Sequence, residues 1–348
     1  MNQLRSRFRG CLLGVHVGDT FGAPFENDEV ISRKLLQNYL NNLVAGKSNN
    51  QIFPYTDDTL MTRAVAQSLV AHKGFNATDL AKRFAQDFFE NPKRGYGERV
   101  TEVFAALHIE EYADPFGPAK RQFSGTGSYG NGAAMRIAPV ALYGINLSDD
   151  KFNEMVDNCS RITHTNVKGV NGAKLQCHAI REALRASQPF DSLSYLQKLA
   201  QKMEKIEDGC QDKDKIYSKA LLEMLQIFEG KHRNKDPLPA DIADIFGNSV
   251  SAQRSVPSAV YSFVRAQAPT ELFETDNPFL RALFLSISLG GDTDTIASMA
   301  CAISGALHGD SKVPPLLIEH CEASDNTIKL ADELHKIVDN QSESNEKR

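Results

Sequence analysis

Apolar residues along this chain recur at helical rather than strand spacing. After the polar run Thr56–Thr59, Leu60, Ala64, Ala66, Leu69 and Val70 form a stripe. Leu80, Phe84, Phe88 and Phe89 repeat the spacing through 78–90, which Pro92 ends. The same periodicity predicts helices over 98–108, 131–143, 149–162, 168–186, 192–206, 213–229, 251–266, 277–289, 293–308 and 326–338. They follow a first helix whose apolar run is interrupted by Gly14, His16 and Gly18. Strict alternation over five or more residues is nearly missing. No Gly-x-Gly-x-x-Gly is set in a strand–turn–helix unit, so a Rossmann sheet has no foothold. The expectation is an all-α fold.

Two breaker-rich stretches interrupt the pattern, 91–97 and 110–132, and the second holds four glycines within Ser124–Gly132. A further break at 229–239 reads as an exposed connection or a short insertion, because apolar helices continue on both sides. Chemical motifs stand near both ends of the chain, so one domain over 5–340 is expected, with 341–348 as a polar tail. A chain of 348 residues can bury a core without disulfide or metal staples. Its 39 basic and 44 acidic side chains leave a net charge of −5, which argues against a generally basic nucleic-acid binder. The six cysteines (11, 159, 177, 210, 301 and 321) form no CxxC pair, so zinc-ribbon and thioredoxin-like readings fall away. Buried free thiols are expected at Cys11 and Cys301. The N-terminal apolar run is too short and too broken for a secretory signal, and no window reaches the roughly 20 apolar residues of a membrane span.

Candidate chemistry concentrates in two segments, Tyr55-Thr56-Asp57-Asp58-Thr59 and Gly290-Gly291-Asp292-Thr293-Asp294-Thr295, each opening a helix. A single Asp at such a place caps free amides. Capping does not account for adjacent Asp57 and Asp58, nor for Asp292 and Asp294 beside a double glycine. Like charges held close repel unless a cation lies between them, and these oxygen donors suit Mg2+. Glu26, in the loop-like break after the first helix, is either a solvated carboxylate or a third contributor; Asp19 shares its segment. A two-metal carboxylate site is the leading reading of these residues. The segment SGTGSYGNG lacks the Lys of a P-loop. It offers a nest of backbone N–H groups and the hydroxyls of Ser124, Thr126 and Ser128, with Phe123 and Tyr129 as flanking aromatics, or else it is a structural turn. His164 is a capping or packing residue, or a ligand contact. No HExxH or GxSxG supports zinc-protease or serine-hydrolase chemistry.

Four segments, FRGCLLGVHVGDTFGAPFE at 8–26, YTDDTLMTRAVAQSL at 55–69, GTGSYGNGAAMRIAPVAL at 125–142 and SISLGGDTDTIASMACAISGALHG at 286–309, together resemble the ADP-ribosylglycohydrolase family. Within it, the GSYGNGAAMR form and the chain length are similar to the members acting on serine-linked ADP-ribose and poly(ADP-ribose). The resemblance implies a single-domain orthogonal helical bundle with a di-magnesium cleft. It implies Thr56, Asp57 and Asp58 as ligands of one ion, Asp292 and Thr295 of the other, and Asp294 of both. Glu26 becomes a mobile-loop glutamate that contacts the metal site and acts in catalysis. Gly127, Ser128, Tyr129, Gly130 and Asn131 become the diphosphate and ribose loop, Phe123 and Tyr129 the adenosine contacts, and His164 a substrate-binding histidine. The implied partners are ADP-ribosylated proteins and poly(ADP-ribose), without sequence-specific nucleic-acid or membrane binding, for a monomer. The implied compartments are cytoplasm and nucleus, with the mitochondrial matrix as a further one. An ADP-ribosyl-arginine hydrolase and an inactive, crystallin-like relative are the alternatives.

Overall fold

In the computed structural model, which describes residues 3–29, 31–46, 51–211, 215–231 and 237–346, eighteen α-helices carry the chain. The first nine are α1 (Gln3–Gly22), α2 (Arg33–Val44), α3 (Asp57–His72), α4 (Ala77–Glu90), α5 (Glu98–Ile109), α6 (Gly117–Arg121), α7 (Gly132–Met135), α8 (Ala138–Tyr143) and α9 (Asp149–Arg161). The rest are α10 (Val167–Arg185), α11 (Ser192–Ile206), α12 (Ile216–Gln226), α13 (Pro239–Phe246), α14 (Val256–Arg265), α15 (Pro278–Ser288), α16 (Thr293–His308), α17 (Pro315–His320) and α18 (Ser324–Glu346). Among the described residues there is no strand, only two isolated bridges, Phe53 with Cys321 and Gly130 with Ser251. The all-α expectation holds. None of the described helices is long and apolar enough to cross a membrane.

Most predicted helices are present, with instructive differences. The segment 131–143 is two short helices, because Pro139 has no N–H to give and its ring disfavours an unbroken turn. Helix α2 was not anticipated, although Leu36, Leu40 and Leu43 bury one face and the Ser32 hydroxyl caps its start. Helices α13 and α17, each begun by Pro, were not anticipated either. The last helix continues past 338 to Glu346, through most of the stretch expected as a tail. Of the predicted connection at 229–239, residues 232–236 lie outside the described residues, as do 213 and 214 of the predicted helix 213–229.

One helix pair positions the site. Gly10, Gly14, Gly18 and Gly22 recur every fourth residue on α1, so they share one face. A Cβ built on them would lie 2.5 Å from Gly305 O, 2.1 Å from Cys301 O, 2.3 Å from Ala297 O and 2.6 Å from the Asp294 Cα. Each step of four along α1 thus meets a backward step of three or four along α16. The helices run antiparallel, with backbone against backbone. The C-terminal end of α1 is thereby locked to the N-terminal end of α16, where the Thr293 hydroxyl donates to Gly22 O at 2.9 Å.

Apolar side chains pack on both sides of this pair. Phe8, Cys11, Leu12 and Val15 of α1 and Met299 and Ile303 of α16 belong to the larger core, with α3–α5 and α7–α12. Leu13, Val17 and Phe21 of α1 and Ala297 and Cys301 of α16 face a second core with α2, α15 and α17. Both helices are buried nearly all round, as expected of a central pair. The two cores share them and form one domain. All six cysteines are free, five of them buried, as expected for Cys11 and Cys301.

Candidate active site: a carboxylate cleft

Asp19, near the C-terminal end of α1, is fully buried and turned towards α3. Its carboxylate accepts from the Thr56 N–H at 3.1 Å, the Thr59 N–H at 3.0 Å and the Thr59 hydroxyl at 2.5 Å. It therefore caps α3 from another helix, beside the local cap in which Thr56 Oγ1 accepts from the Asp58 N–H at 3.3 Å. Asp58 in turn reaches α16, accepting from the Ser298 hydroxyl at 2.6 Å and the Thr295 hydroxyl at 3.4 Å. The two acidic segments, about 230 residues apart in sequence, are joined through α1 and through this contact.

The turn before α16 brings in Glu26. Gly290 and Gly291 both have positive φ, 69° and 70°, and a Cβ on Gly291 would lie 2.1 Å from Asn248 O. Bare backbone lets two segments pair: the Gly291 N–H donates to Asp28 O at 3.0 Å, and the Asn27 N–H donates to Gly291 O at 2.8 Å. Glu26, next to that pairing, comes together with Asp292 and Asp294, with one carboxylate oxygen of each within 4.8 Å of the others. Glu26 is exposed, while both Asp side chains are buried.

No Lys or Arg among the described residues forms an ion pair with Asp57, Asp58, Asp292 or Asp294, and the carboxyls respond accordingly. Burial pushes Asp57 up to about 8, with the charges of Asp19, Asp292 and Glu26 adding to it. Burial, then the charge of Asp294, holds Asp58 well above its ordinary range. Burial, then Asp292, does the same to Asp294. Asp292 is raised by burial against hydrogen bonds that favour its charged form, and Glu26 by burial and then by Asp292. Two things relieve such a cluster, protons or a cation. The donors are carboxylate and hydroxyl oxygens only, which fit Mg2+ and other hard cations. Among the described residues a single three-carboxylate cluster meets at close range. The structure thus supports one candidate metal position and does not by itself establish a di-magnesium cleft.

Asp57, Asp58, Asp292, Asp294, Thr295 and Glu26 all line one cleft of about 340 Å³. Ser128, Gly130, Asn131 and His164 line it too. Thr56, Phe123, Gly127 and Tyr129 are not among its lining residues; Phe123 and Tyr129 are 45% and 52% exposed, respectively. Asn131 joins the two walls, its amide donating to Asp292 Oδ2 at 2.5 Å and Ser255 Oγ at 3.0 Å.

The Gly-rich segment keeps only part of the expected nest of free N–H groups. The N–H of Thr126 donates to Phe123 O, that of Gly127 to Gln122 O, that of Gly130 to Ser128 Oγ and that of Asn131 to Val250 O. Three of these donors serve the loop itself and the fourth reaches Val250, while the N–H groups of Ser128 and Tyr129 form no such bond among the described residues and remain available beside the side chains. Phe123 and Ser124 are held at positive φ, 50° and 55°, a conformation costing roughly 1 kcal/mol or more for a residue with a Cβ. Gly127 backs onto Thr165.

His164 is buried against bare backbone. A Cβ on Gly132 would lie 2.9 Å from its Cε1, and one on Gly130 3.3 Å from its Nε2. Its Nδ1 is 2.7 Å from the Thr163 hydroxyl. Burial and the nearby Arg136 push its pKa down to about 3, so the ring is neutral. Sequence reasoning passed over Arg136, the cap made by Asp19, and the cleft wall at Gly95 and Gly97–Val100. The signals were available for the first two: a Gly-Asp pair continuing the four-residue glycine register, and an Arg inside an apolar helical stretch.

Comparison with known proteins shows the family. The ADP-ribosylglycohydrolase family model matches residues 1–344, and the chain belongs to that family. It is 39% identical over 350 residues to ADP-ribosylhydrolase ARH3 of Gallus gallus, covering 95% of this chain and 93% of that one. It is 37% identical to ADP-ribosylhydrolase ARH3 of Mus musculus, covering 95% and 92%, respectively. A solved structure, an ADP-ribosylglycohydrolase-related protein complex, superposes with a TM-score of 0.67 at 19% identity, covering 97% of this chain and all of the other, which supports the fold alone.

Proposed function

We propose that this protein is a Mg2+-dependent hydrolase of the O-glycosidic bond at C1″ of ADP-ribose, attached to protein serine or within poly(ADP-ribose), releasing ADP-ribose. The observation carrying this reading is the meeting of Glu26 with Asp292 and Asp294 in a cleft whose opposite wall bears Ser128, Asn131 and a neutral His164. The family, and relatives named ADP-ribosylhydrolase ARH3, supply the substrate class.

Thr56, Asp57 and Asp58 would hold one Mg2+, Asp292 and Thr295 a second, and Asp294 would serve both. Such cations, when bound, supply charge that fixes ribose hydroxyls and makes water more acidic. The chain's own groups do the rest. Ser128 and His164 bind and orient the sugar and diphosphate from the less acidic wall. The neutral imidazole can accept or donate at Nε2 without bringing a charge into the cleft. Glu26, with its pKa raised, carries a proton further up the pH scale than an ordinary glutamate. It gives that proton to the leaving oxygen as the C1″–O bond breaks, while water adds at C1″ and yields its own proton to a carboxylate of the cluster.

The test is release of ADP-ribose from serine-linked peptide, poly(ADP-ribose) and arginine-linked peptide, with and without Mg2+. Mg2+-dependent turnover of the first two is expected. Turnover confined to the arginine linkage would replace the substrate assignment, and none on any of the three would point to a binding protein.

A further inference from the structure

Arg136 closes the short helix α7 and is completely buried, one of the largest side chains to be so. It has no carboxylate partner among the described residues. Its guanidinium lies 4.7 Å from the Phe84 ring centroid, and Nε is buried with no hydrogen-bond partner. Taking a guanidinium out of water without a direct ion pair costs several kcal/mol, only partly offset here by the charge of Asp57 at longer range. A position that keeps one is doing something an apolar residue of similar size would not.

Its two hydrogen bonds show what that is. Nη1 donates to Gly132 O at 2.7 Å, and Nη2 donates to Cys159 O at 3.2 Å. Gly132 is the first residue of α7, and its carbonyl would ordinarily accept from the N–H of residue 136. That N–H goes to Ala134 O instead, so the Arg136 side chain takes over the carbonyl its own backbone has left. Cys159 lies in the last turn of α9, where carbonyls run out of helical donors. The Thr163 N–H that would ordinarily reach it turns to Ser160 O. One planar fork therefore joins the end of the Gly-rich segment to the helix end from which Thr163 and His164 emerge. The His164 ring rests on the backbone of Gly130 and Gly132, between the two anchored points.

We propose that Arg136 is a positioning residue for the ligand-binding wall of the cleft: by clipping Gly132 to Cys159 it holds the Ser128–Gly132 backbone and the His164 ring in one fixed arrangement. Arg136 also lines the cleft, and its charge, felt by Asp57 but paired directly with no carboxylate among the described residues, suits an anionic nucleotide. The ligand named in the test rests on the function proposed above; the positioning itself does not.

The experiment compares wild type with Arg136→Met and Arg136→Lys. ADP-ribose binding is measured by calorimetry in Mg2+, and the His164 ring nitrogens are followed by NMR without ligand. In Arg136→Met, ADP-ribose affinity should fall at least tenfold, with KM raised more than kcat is lowered, and the His164 resonances should move. Arg136→Lys, which can reach one carbonyl but not both, should recover part of each effect; it carries the test alone if the Met variant does not fold, and should then fall between threefold and tenfold below wild type. Wild-type His164 resonances and affinity within twofold in the variants would overturn the proposal. If wild type binds no ADP-ribose, the functional reading fails, and the His164 resonances alone decide the positioning role.

Discussion

At the scale of single residues, the cleft is a set of side chains placed against their own stability. Asp58 and Asp294 are buried near each other with no cation from the protein, and both are pushed towards protonation. Removing one of those charges should help the metal-free fold while destroying what the charges are for. Asp294→Asn is expected to raise the melting temperature without divalent ions, to abolish the rise that Mg2+ gives wild type, and to eliminate turnover. A metal-free melting temperature below wild type would mean that the carboxylate holds the fold rather than a cation. Glu26 is different, being exposed and attached to the cluster from one side. Glu26→Gln should cost about 100-fold or more in kcat on serine-linked substrate, the usual scale for losing a general acid, with ADP-ribose affinity changed only a few fold. Equal losses in both would make Glu26 a binding group. The acidic lining residues were legible in the sequence, since doubled acids at a helix start have no cheap structural use, whereas the wall at Gly95 and Gly97–Val100 was not. The interior bonds of the Gly-rich loop were not: whether an N–H is free depends on Gln122 and Val250, which no local spacing reveals.

Between residue and molecule stands the α1–α16 pair. The sequence displayed Gly14 and Gly18 as interruptions of an apolar run, and their meaning, with that of Gly10 and Gly22, lay in a register with a helix nearly 300 residues away. That register brings Asp19 and Asp294 to the same end of the pair. It also makes a prediction whose sign is informative. In an ordinary helix interior, Gly→Ala stabilises by about 0.5–1 kcal/mol. Here Gly14→Ala places a Cβ 2.1 Å from Cys301 O, against backbone that cannot step aside cheaply. Denaturant unfolding should show a loss of about 1–3 kcal/mol, the scale of overpacking. Mg2+ affinity should fall with it, because parting the helices moves Asp294 from Asp19 and from the α3 end that Asp19 caps. A gain in stability would show that the pair is not as tight as its backbone contacts imply. Helix α2 teaches the opposite lesson. Its Leu36, Leu40 and Leu43 were readable at the right spacing, but the polar residues between them diluted the stripe.

For the molecule as a whole, the acidic cleft couples stability to pH and to metal together. An unfolded Asp titrates near pH 4, whereas folded Asp57 titrates near 8 and its neighbours also lie above their ordinary values. Between those limits the folded, metal-free protein binds more protons than the unfolded chain, so this contribution to stability is greatest in acid. It declines as pH rises, the part owed to Asp57 levelling off above about 8. Buried histidines act in the other sense: His164 and His178 are pushed down to about 3, so stability falls as pH drops below the unfolded value near 6.5. The two trends overlap in any single melting curve. They separate in the difference that Mg2+ makes, because the cation competes with protons for the cleft carboxylates and leaves untouched His178, which touches Asn153 and Arg181 and does not line that cleft. The rise in Tm on adding Mg2+ is therefore expected to be small at pH 5 and to grow by several degrees by pH 8. Asp57→Asn should flatten that growth, since it removes the carboxyl that titrates across the window. A Mg2+ shift of equal size at pH 5 and pH 8 would mean that the ion binds without displacing protons, and would separate the metal site from the raised carboxyls of this cleft.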